Sequence, residues 1–205
     1  MTLKPEPDNN PNGGIVDPPA VLRYILRLVM GRITDPKVRA KKRARVEARR
    51  IKSGAARTVE YFHQYDDPYS HLAAQVLETL KERYDIELVV HQIRGTGGPF
   101  QPELQQLDVW AKRDAEMIAP FYGLVPPSQL AQKNDKPTDR PTLDAGSARL
   151  EELGHYSGAM FHYGGEWFWG VDRLFYLGHW LRDVGDCKDP SLPFLSRRPG
   201  IEDSG

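Results

Sequence analysis

The sequence predicts an α/β domain preceded by a basic helical arm, and three observations lead to this prediction. Over residues 58–93, two segments rich in β-branched and aromatic residues flank a helix-like segment, which is the pattern of a parallel βαβ unit. Gly164-Gly165 separates two aromatic runs, as in a tight hairpin. Apolar residues after the hairpin recur every three or four positions, which predicts a final helix. The predicted order is βαβ, a helical insert, then ββα.

Composition and charge exclude several classes of protein. The 205 residues are 40% hydrophobic and 27% charged, which is ordinary globular usage. The one cysteine, Cys187, excludes an internal disulfide and a Cys-x-x-Cys pair. No apolar run reaches the roughly 18 residues of a membrane-spanning helix. The polar, proline-rich start excludes a secretory signal and predicts a cytoplasmic protein, with an arm that can lie peripherally at the membrane.

The net charge of zero hides a basic segment near the N-terminus. Residues 20–57 hold thirteen basic and two acidic residues, a net +11, so the remainder carries −11. Residues 1–19 contain five prolines and few apolar side chains, which predicts a flexible tail. Residues 20–55 are predicted to form the basic helical arm. Its first helix covers 20–33, and its second begins at Pro36 and runs to about Lys52.

The domain is predicted to cover residues 56–185. TVEYFHQY, from Thr58, has the composition of a strand. Asp67-Pro68 is typical of an N-cap followed by the first helical residue, and helical spacing continues to about Tyr84. IELVVHQI is the second predicted strand, and GTGGPFQP, from Gly95, is a predicted loop.

The helical insert is predicted at about 100–155. Apolar spacing predicts a helix from Glu103 to Tyr122. Residues 124–145 are polar, contain four prolines and lack periodicity, so a long loop is expected there. Leu174, Leu177 and Leu181 mark the closing helix, and residues 186–205 are predicted to be a second flexible tail.

Two motifs carry a resemblance to a known family. They are YFHQYDDPYSHLAAQVL and FHYGGEWFWGVDRLFYL, with a weaker match in AKRDAEMIAPFYGL. Together they resemble the thioredoxin fold of the DsbA-like group. The closest branch is the 2-hydroxychromene-2-carboxylate isomerases and the related kappa-class glutathione transferases. The resemblance covers roughly residues 56–184 and implies a thioredoxin-like fold. It leaves the basic arm and both tails outside.

The resemblance places the reaction centre where the first strand leads into the first helix. Redox members have two cysteines there, and the matching positions in this chain are Asp67 and Ser70. Because thiol–disulfide exchange needs an attacking sulfur, dithiol chemistry at this site is excluded. In the isomerase and transferase branch, the first position is a serine that stabilises the thiolate of bound glutathione. The resemblance therefore implies Asp67 and Ser70 as candidate catalytic residues and glutathione as a weakly bound cofactor.

Asp67 changes the chemistry expected at that first position. Ionised aspartate only accepts hydrogen bonds, and a carboxylate about 4 Å from a thiolate repels it by roughly 1 to 4 kcal/mol. A protonated Asp67 could instead donate a hydrogen bond, and an ionised one could act as a base. The favoured alternative is that Asp67 serves only as an N-cap.

Three further residues complete the glutathione site that the resemblance implies. Ala159 stands where the family has a cis-proline, and the cost of a non-proline cis bond predicts a trans bond here. Asp172 matches the aspartate that holds the γ-glutamyl end, although any first-turn acid also stabilises a helix. Tyr69 either faces the ligand groove or packs in the first helical turn. Histidine spacing predicts no metal site.

Two functions from different classes follow. The first is a glutathione-dependent isomerase or transferase that acts on a small-molecule or glutathione-conjugated substrate. The alternative is a non-catalytic binding module that attaches to an anionic membrane or an acidic partner through residues 20–52. Nucleic-acid binding is favoured least, because no aromatic residues are interleaved with the basic ones.

Overall fold

The computed structural model describes residues 19–95, 104–130 and 139–192. The chain divides into two compact units, residues 1–46 and 47–205. The predicted tail at 1–19, apart from Pro19, lies outside the described residues. So do the predicted loop beyond Gly95 and the C-terminal tail beyond residue 192.

The first unit is helical, and both of its predicted helices are confirmed. Helix α1 covers Ala20–Thr34, and α2, which covers Pro36–Ser53, continues into the second unit. Asp35 separates them in an extended conformation, because the ring of the following proline disfavours helical geometry at that residue. The Oδ1 atom of Asp35 accepts a hydrogen bond from the backbone N–H of Lys37 at 2.8 Å, as an N-cap does.

The second unit contains a mixed four-stranded sheet. Its strands are β1 (Thr58–Gln64), β2 (Glu87–Ile93), β3 (Met160–Tyr163) and β4 (Glu166–Trp169). Their order across the sheet is β2-β1-β3-β4. Strands β1 and β2 run parallel, whereas β3 pairs antiparallel with both β1 and β4. The predicted βαβ unit and the hairpin at Gly164-Gly165 are therefore confirmed, and the molecule belongs to the α/β class.

The first crossover is two helices rather than the single predicted helix at 68–84. They are α3 (Pro68–Ala74) and α4 (Leu77–Arg83). The prediction was wrong because Gln75 makes contacts that helical periodicity does not reveal. Its side-chain amide donates to the carbonyl of Val125 at 2.9 Å and accepts from the Val125 N–H at 2.9 Å. Val76 then leaves helical geometry, with φ −100° and ψ 0°.

The insert contains two longer helices, α5 (Leu104–Ile118) and α6 (Arg140–Glu152). Helix α5 ends in a 3₁₀ turn at Ala119–Tyr122, so the helix predicted at 103–122 is largely confirmed. The loop predicted at 124–145 was wrong from Arg140 onward. Asp139 caps α6 by accepting a hydrogen bond from the backbone N–H of Thr142 at 2.8 Å, and Leu150 is 2% exposed.

The sheet is covered on both faces. On one face, Tyr61 stacks on Phe161 with ring centroids 4.6 Å apart, and Tyr163 contacts Trp180 of α7 (Gly170–Asp183). On the other face, a buried cluster includes Leu150 of α6. The members of that cluster are Phe62, Ile93, Leu150 and Met160, with Leu153 and Trp167 packed against them.

The C-terminal boundary of the domain lies later than the predicted residue 185. The backbone N–H of Asp85 donates to the carbonyl of Asp186 at 2.9 Å, and the N–H of Lys188 donates to the carbonyl of Arg83 at 2.8 Å. Residues 186–188 are thus hydrogen-bonded to the end of α4 and are not a loose tail. Over the described residues, no helix combines the length and apolar character needed to cross a membrane.

Candidate functional site

The strand-to-helix junction is organised by the side chain of Asp67. Its Oδ1 atom accepts from the N–H of Tyr69 at 3.3 Å, and its Oδ2 atom accepts from the N–H of Ser70 at 2.9 Å. Oδ2 also accepts from the hydroxyl of Ser70 at 2.7 Å. Asp67 is therefore the N-cap of α3, as expected.

The hydroxyl of Ser70 joins three separate segments of the chain. It donates to Asp67 and accepts from the backbone N–H groups of Gln64 at 3.2 Å and Ala159 at 2.9 Å. A serine hydroxyl has one hydrogen to donate and two lone pairs to accept with. All three are used, and Ser70 is 0% exposed. We call Gln64, Asp67, Ser70 and Ala159 the junction cluster.

Ala159 lies at the entry to β3 with both backbone polar groups engaged. Its N–H donates to Ser70, and its carbonyl accepts from the N–H of Gly170 at 2.8 Å. The bond before Ala159 is trans, as expected, and φ is +55°. Left-handed geometry costs an L-residue roughly 1–2 kcal/mol. The hydrogen bonds on both sides of the residue, together with its complete burial, hold it in this conformation.

The environment of Asp67 opposes its ionisation. Burial raises the pKa of the Asp67 carboxyl above its ordinary value, although the hydrogen bonds from Ser70 and Tyr69 act in the opposite direction. The net shift of the pKa is upward, although the partial positive charge of a helix N-terminus favours the anion. Desolvation is the larger effect because the carboxyl group has little contact with water.

Two other predicted site residues, Tyr69 and Asp172, line a separate cleft of about 250 Å³. The Tyr69 hydroxyl donates to Oδ2 of Asp114 on α5 at 2.7 Å, and the ring of Trp169 meets Tyr69 edge-on. Burial and the Asp114 carboxylate raise the pKa of Tyr69 well above its ordinary value. The nine residues lining the cleft include two carboxylates and no basic side chain.

Asp172 occupies the first turn of α7, as the resemblance implies. Its Oδ2 atom lies 3.3 Å from Nε of Arg173, and both side chains are about half exposed. Asp67, Ser70 and Ala159 do not line the cleft. The predicted site residues therefore fall into two groups: the junction cluster and the cleft that contains Tyr69 and Asp172.

A larger cavity of about 1000 Å³ lies on the other side of the start of α3 and is lined by His63 and His71, among others. The imidazole Nε2 of His71 lies 2.7 Å from the carbonyl of Tyr65. It carries a hydrogen there, because a carbonyl can only accept. Among the described residues, no group of three or more histidine, cysteine or carboxylate side chains is arranged to hold a metal ion.

Sequence reasoning missed Asp114 and Trp169 as neighbours of Tyr69. Asp114 lies 45 residues after Tyr69, and no local pattern marks it. Trp169 belongs to the aromatic run that follows Gly164-Gly165, and a strand-like composition does not indicate a cleft. The cavity at His63 and His71 was missed for the same reason, because the insert that closes it is distant in sequence.

The geometry defines an α/β protein with a hydrogen-bonded strand-to-helix junction and an acidic cleft beside it. Family models, curated proteins and solved structures were each compared with the chain, and none matches it. The function therefore rests on the residues and on their arrangement.

Proposed function

We propose that the second unit is a thioredoxin-like binding domain in which the junction performs no thiol–disulfide chemistry. The fold part of this proposal is supported by the order of its elements: a parallel βαβ unit, a helical insert, an antiparallel hairpin and a closing helix around one mixed sheet. The two motifs that resemble the DsbA-like group lie at the β1–α3 junction and at the hairpin with α7.

The functional part of the proposal is supported by the hydroxyl of Ser70, whose hydrogen-bonding groups are all used within the protein. A residue that stabilises a bound thiolate must have a hydrogen to donate to it. The one hydrogen of Ser70 is donated to Asp67, and its lone pairs accept from Gln64 and Ala159. Asp67, at the position of the family's thiolate-stabilising serine, accepts hydrogen bonds from Tyr69 and Ser70. Both positions that the resembled family uses for chemistry therefore serve the structure in the proposed domain.

The acidic cleft is the ligand site of the proposed domain. Asp114 and Asp172 line the cleft, and Arg173, which pairs with Asp172, is not among the lining residues. The two carboxylates favour a ligand that brings an ammonium group. Glutathione is one such ligand, and Asp172 would hold its γ-glutamyl amino group. Because the junction cluster offers no hydrogen to a thiolate, the glutathione sulfur would contribute little to binding.

An insulin-reduction assay with dithiothreitol tests the absence of dithiol chemistry. The rate is expected to equal that of the protein-free control, for the protein and for Cys187→Ser alike. A rate well above the control that persists in Cys187→Ser would refute the proposal.

Calorimetric titration tests the ligand site. The titrations are made at about pH 6 and about pH 9, below and above the ordinary thiol pKa of about 8.5. At each pH, glutathione and S-methylglutathione are expected to bind equally weakly. Asp172→Asn should weaken the binding of both ligands by roughly tenfold or more, because it removes the charged partner of a charge-assisted hydrogen bond. Asp183→Asn, at an exposed carboxylate of the same helix, is the matched control.

The second candidate is the glutathione-dependent isomerase or transferase. The pKa of Asp67, which burial raises above its ordinary value, favours it, because general acid–base catalysis uses carboxyl groups whose pKa is shifted upward. This candidate predicts that glutathione binds more tightly than S-methylglutathione at the higher pH, and that Asp67→Ser changes the difference. Equal binding of the two ligands at both pH values excludes it. No detectable binding of either ligand would exclude glutathione from the cleft.

A further inference from the structure

Helix α1 carries an unusual amount of exposed apolar surface. Eight of its fifteen residues are large apolar side chains that are 45–71% exposed. They are Val21, Leu22, Tyr24, Ile25, Leu26, Leu28, Val29 and Met30. Scattered exposed apolar residues are normal, but a contiguous surface of this kind marks an interaction site.

Helix α1 contains three arginines, of which Arg32 lies in the last turn and on the opposite side from Arg23. Arg23 and Arg27 are four residues apart, so they lie on one stripe. Leu22, Ile25 and Val29 follow the three- and four-residue spacing of a second stripe, which faces away from Arg23 and Arg27 and ends at Arg32 in the last turn. The helix has no acidic residue. A mostly apolar helix with arginines on one side and at its end, and without acidic residues, fits a position in a membrane interface.

The length of α1 fits an in-plane position. Fifteen residues make a helix of about 22 Å, shorter than the roughly 30 Å hydrocarbon core. Arginines at the edge of such a helix can extend their charged ends to the lipid headgroups while their methylene chains stay in the apolar layer.

The start of α2 continues the positive charge. Lys37, Arg39, Lys41, Lys42 and Arg45 are exposed, and they lie on several sides of the helix rather than on one face. The potential of an anionic lipid surface extends about 10 Å at 0.1 M salt, roughly the width of a helix, so it attracts charges on every side, whereas a compact acidic patch on a protein would need them on one face. Charge complementarity therefore points to anionic lipid.

We propose that residues 20–46 bind an anionic membrane surface, with α1 lying in the interface and the basic start of α2 at the headgroups. The apolar stripe of Leu22, Ile25 and Val29 faces the acyl chains, Arg23 and Arg27 face the headgroups, and Arg32 reaches the headgroups from the end of the helix. This inference does not depend on the ligand of the acidic cleft, because its test measures lipid binding without that ligand.

Co-sedimentation with vesicles tests the proposal on the full chain. The protein is expected to pellet with vesicles of phosphatidylcholine mixed with phosphatidylserine and to stay in solution with phosphatidylcholine alone. Raising the salt from about 0.1 M to about 1 M shortens the Debye length from about 10 Å to about 3 Å and should release most of it. Equal pelleting with both lipids, or pelleting with neither, would overturn the proposal.

Two sets of variants separate the charge from the apolar surface. Replacing Lys37, Lys41 and Lys42 with Gln should weaken binding about a hundredfold, at roughly fivefold for each residue. Replacing Leu22, Ile25 and Val29 with Ser should weaken binding by a similar factor, because the apolar contribution is lost. The matched controls are Lys81→Gln and Val109→Ser, at positions that are 48% and 65% exposed. They should bind as the parent does.

A fluorescent label reports which side of α1 enters the lipid. In a Cys187→Ser background, Ile25→Cys and Arg23→Cys each carry one environment-sensitive dye. A blue shift on adding anionic vesicles is expected at position 25 and not at position 23. Equal shifts at both positions would contradict the assigned orientation. A shift at position 25 without vesicles that grows with protein concentration would show that a second copy covers the helix, and would overturn the membrane proposal.

Discussion

At the scale of single residues, Ser70 has the largest structural role of the predicted site residues. Its hydroxyl connects the end of β1, the start of α3 and the entry to β3. Two of its three partners are backbone N–H groups, which are expensive to leave unpaired when buried. The residue that the resemblance marks as catalytic is thus required by the fold itself.

Replacing Ser70 with Ala is expected to lower the free energy of unfolding by about 3 kcal/mol. The substitution leaves the N–H groups of Gln64 and Ala159 without their acceptor, at roughly 1–3 kcal/mol each. Urea unfolding measures the change. Ser53→Ala, which removes an exposed hydroxyl bonded to the carbonyl of Arg50, should change stability by less than about 0.5 kcal/mol. A loss for Ser70→Ala as small as that of the control would contradict the structural role.

At the scale of elements, the approach of α6 to β2 depends on Gly146. A Cβ atom at this position would lie 2.1 Å from the backbone carbonyl oxygen of Gln92. Only glycine allows the helix to lie so close to the strand, so the packing of the whole element on the sheet depends on one missing methyl group.

Gly146→Ala is expected to destabilise the domain by about 2–3 kcal/mol, although alanine favours helix, because the added carbon forces α6 away from β2. Gly31→Ala in α1 is the control, since a Cβ atom there meets no heavy atom within 4 Å. The control should leave the unfolding midpoint of the domain unchanged and raise helicity slightly. Circular dichroism and urea unfolding measure both effects. An unchanged midpoint in Gly146→Ala would show that α6 does not pack as described.

The same face of the sheet holds a group of titratable side chains around Glu60. Arg149 donates to both carboxylate oxygens of Glu60 at 2.8 Å, and Nε2 of His91 lies 2.9 Å from one of them. The Arg149 guanidinium is the main cause that lowers the pKa of Glu60 to about 2. Burial lowers the pKa values of His155 and His162, whose rings both lie against Trp167.

Stability is therefore expected to fall with acid in two ranges of pH. Below about 6.5, unfolded histidines take up protons while folded His155 and His162 remain neutral, so the unfolded state gains protons and stability falls. Below about 4.5, unfolded glutamate is protonated while Glu60 stays ionised down to about 2, so stability falls again. Urea unfolding across this range measures both losses. The double variant His155→Gln/His162→Gln should lose much less stability between about pH 6.5 and about pH 4.5 than the parent does. An unchanged dependence of stability on pH would show that these two histidines do not cause the loss.

At the scale of the whole molecule, the core lies entirely in the second unit. Every buried apolar residue among the described residues is at position 59 or later. The first unit contributes none of them. The fold of the domain should therefore survive without residues 1–46, up to the boundary between the two units.

Deleting residues 1–46 is expected to leave the urea midpoint of the domain within about 0.5 kcal/mol of the full chain. The deletion should at the same time abolish binding to anionic vesicles. A large fall in the midpoint would show that the first unit stabilises the domain. Near-ultraviolet circular dichroism of the truncated protein checks that the aromatic core is intact.

Arg57 marks the point beyond which truncation should not be tolerated. Its guanidinium pairs with Asp186, whose side chain is 4% exposed, and with Glu47 at 2.8 Å. Arg57→Met is expected to lower the free energy of unfolding by about 3 kcal/mol, because it leaves the Asp186 carboxylate buried without its cation. The double variant Arg57→Met/Asp186→Leu should recover part of the loss, since both charges are then gone. No recovery would mean that the loss comes from packing.

Several features could be predicted from the sequence because they depend on residues close together in the chain. Strand composition and the glycine pair predicted β1, β2 and the hairpin, and proline positions predicted the starts of α2 and α3. The capping role of Asp67 followed from its place before Pro68. The single cysteine excluded a Cys-x-x-Cys pair within the 205 residues without any structure. Local propensity, periodicity and capping are short-range effects, and a single sequence displays them directly.

Only the tertiary structure decided the features that depend on distant segments. The break at Gln75 requires Val125, and the Tyr69–Asp114 hydrogen bond joins α3 to the insert. The third hydrogen bond of the Ser70 hydroxyl comes from the N–H of Ala159, 89 residues further along the chain. The resemblance implied a reactive pair at Asp67 and Ser70, beside the favoured alternative that Asp67 is only an N-cap. Whether a hydroxyl is available to a ligand or bonded within the protein depends on which backbone groups the fold brings within about 3 Å of it, and no local pattern in the sequence records that distance.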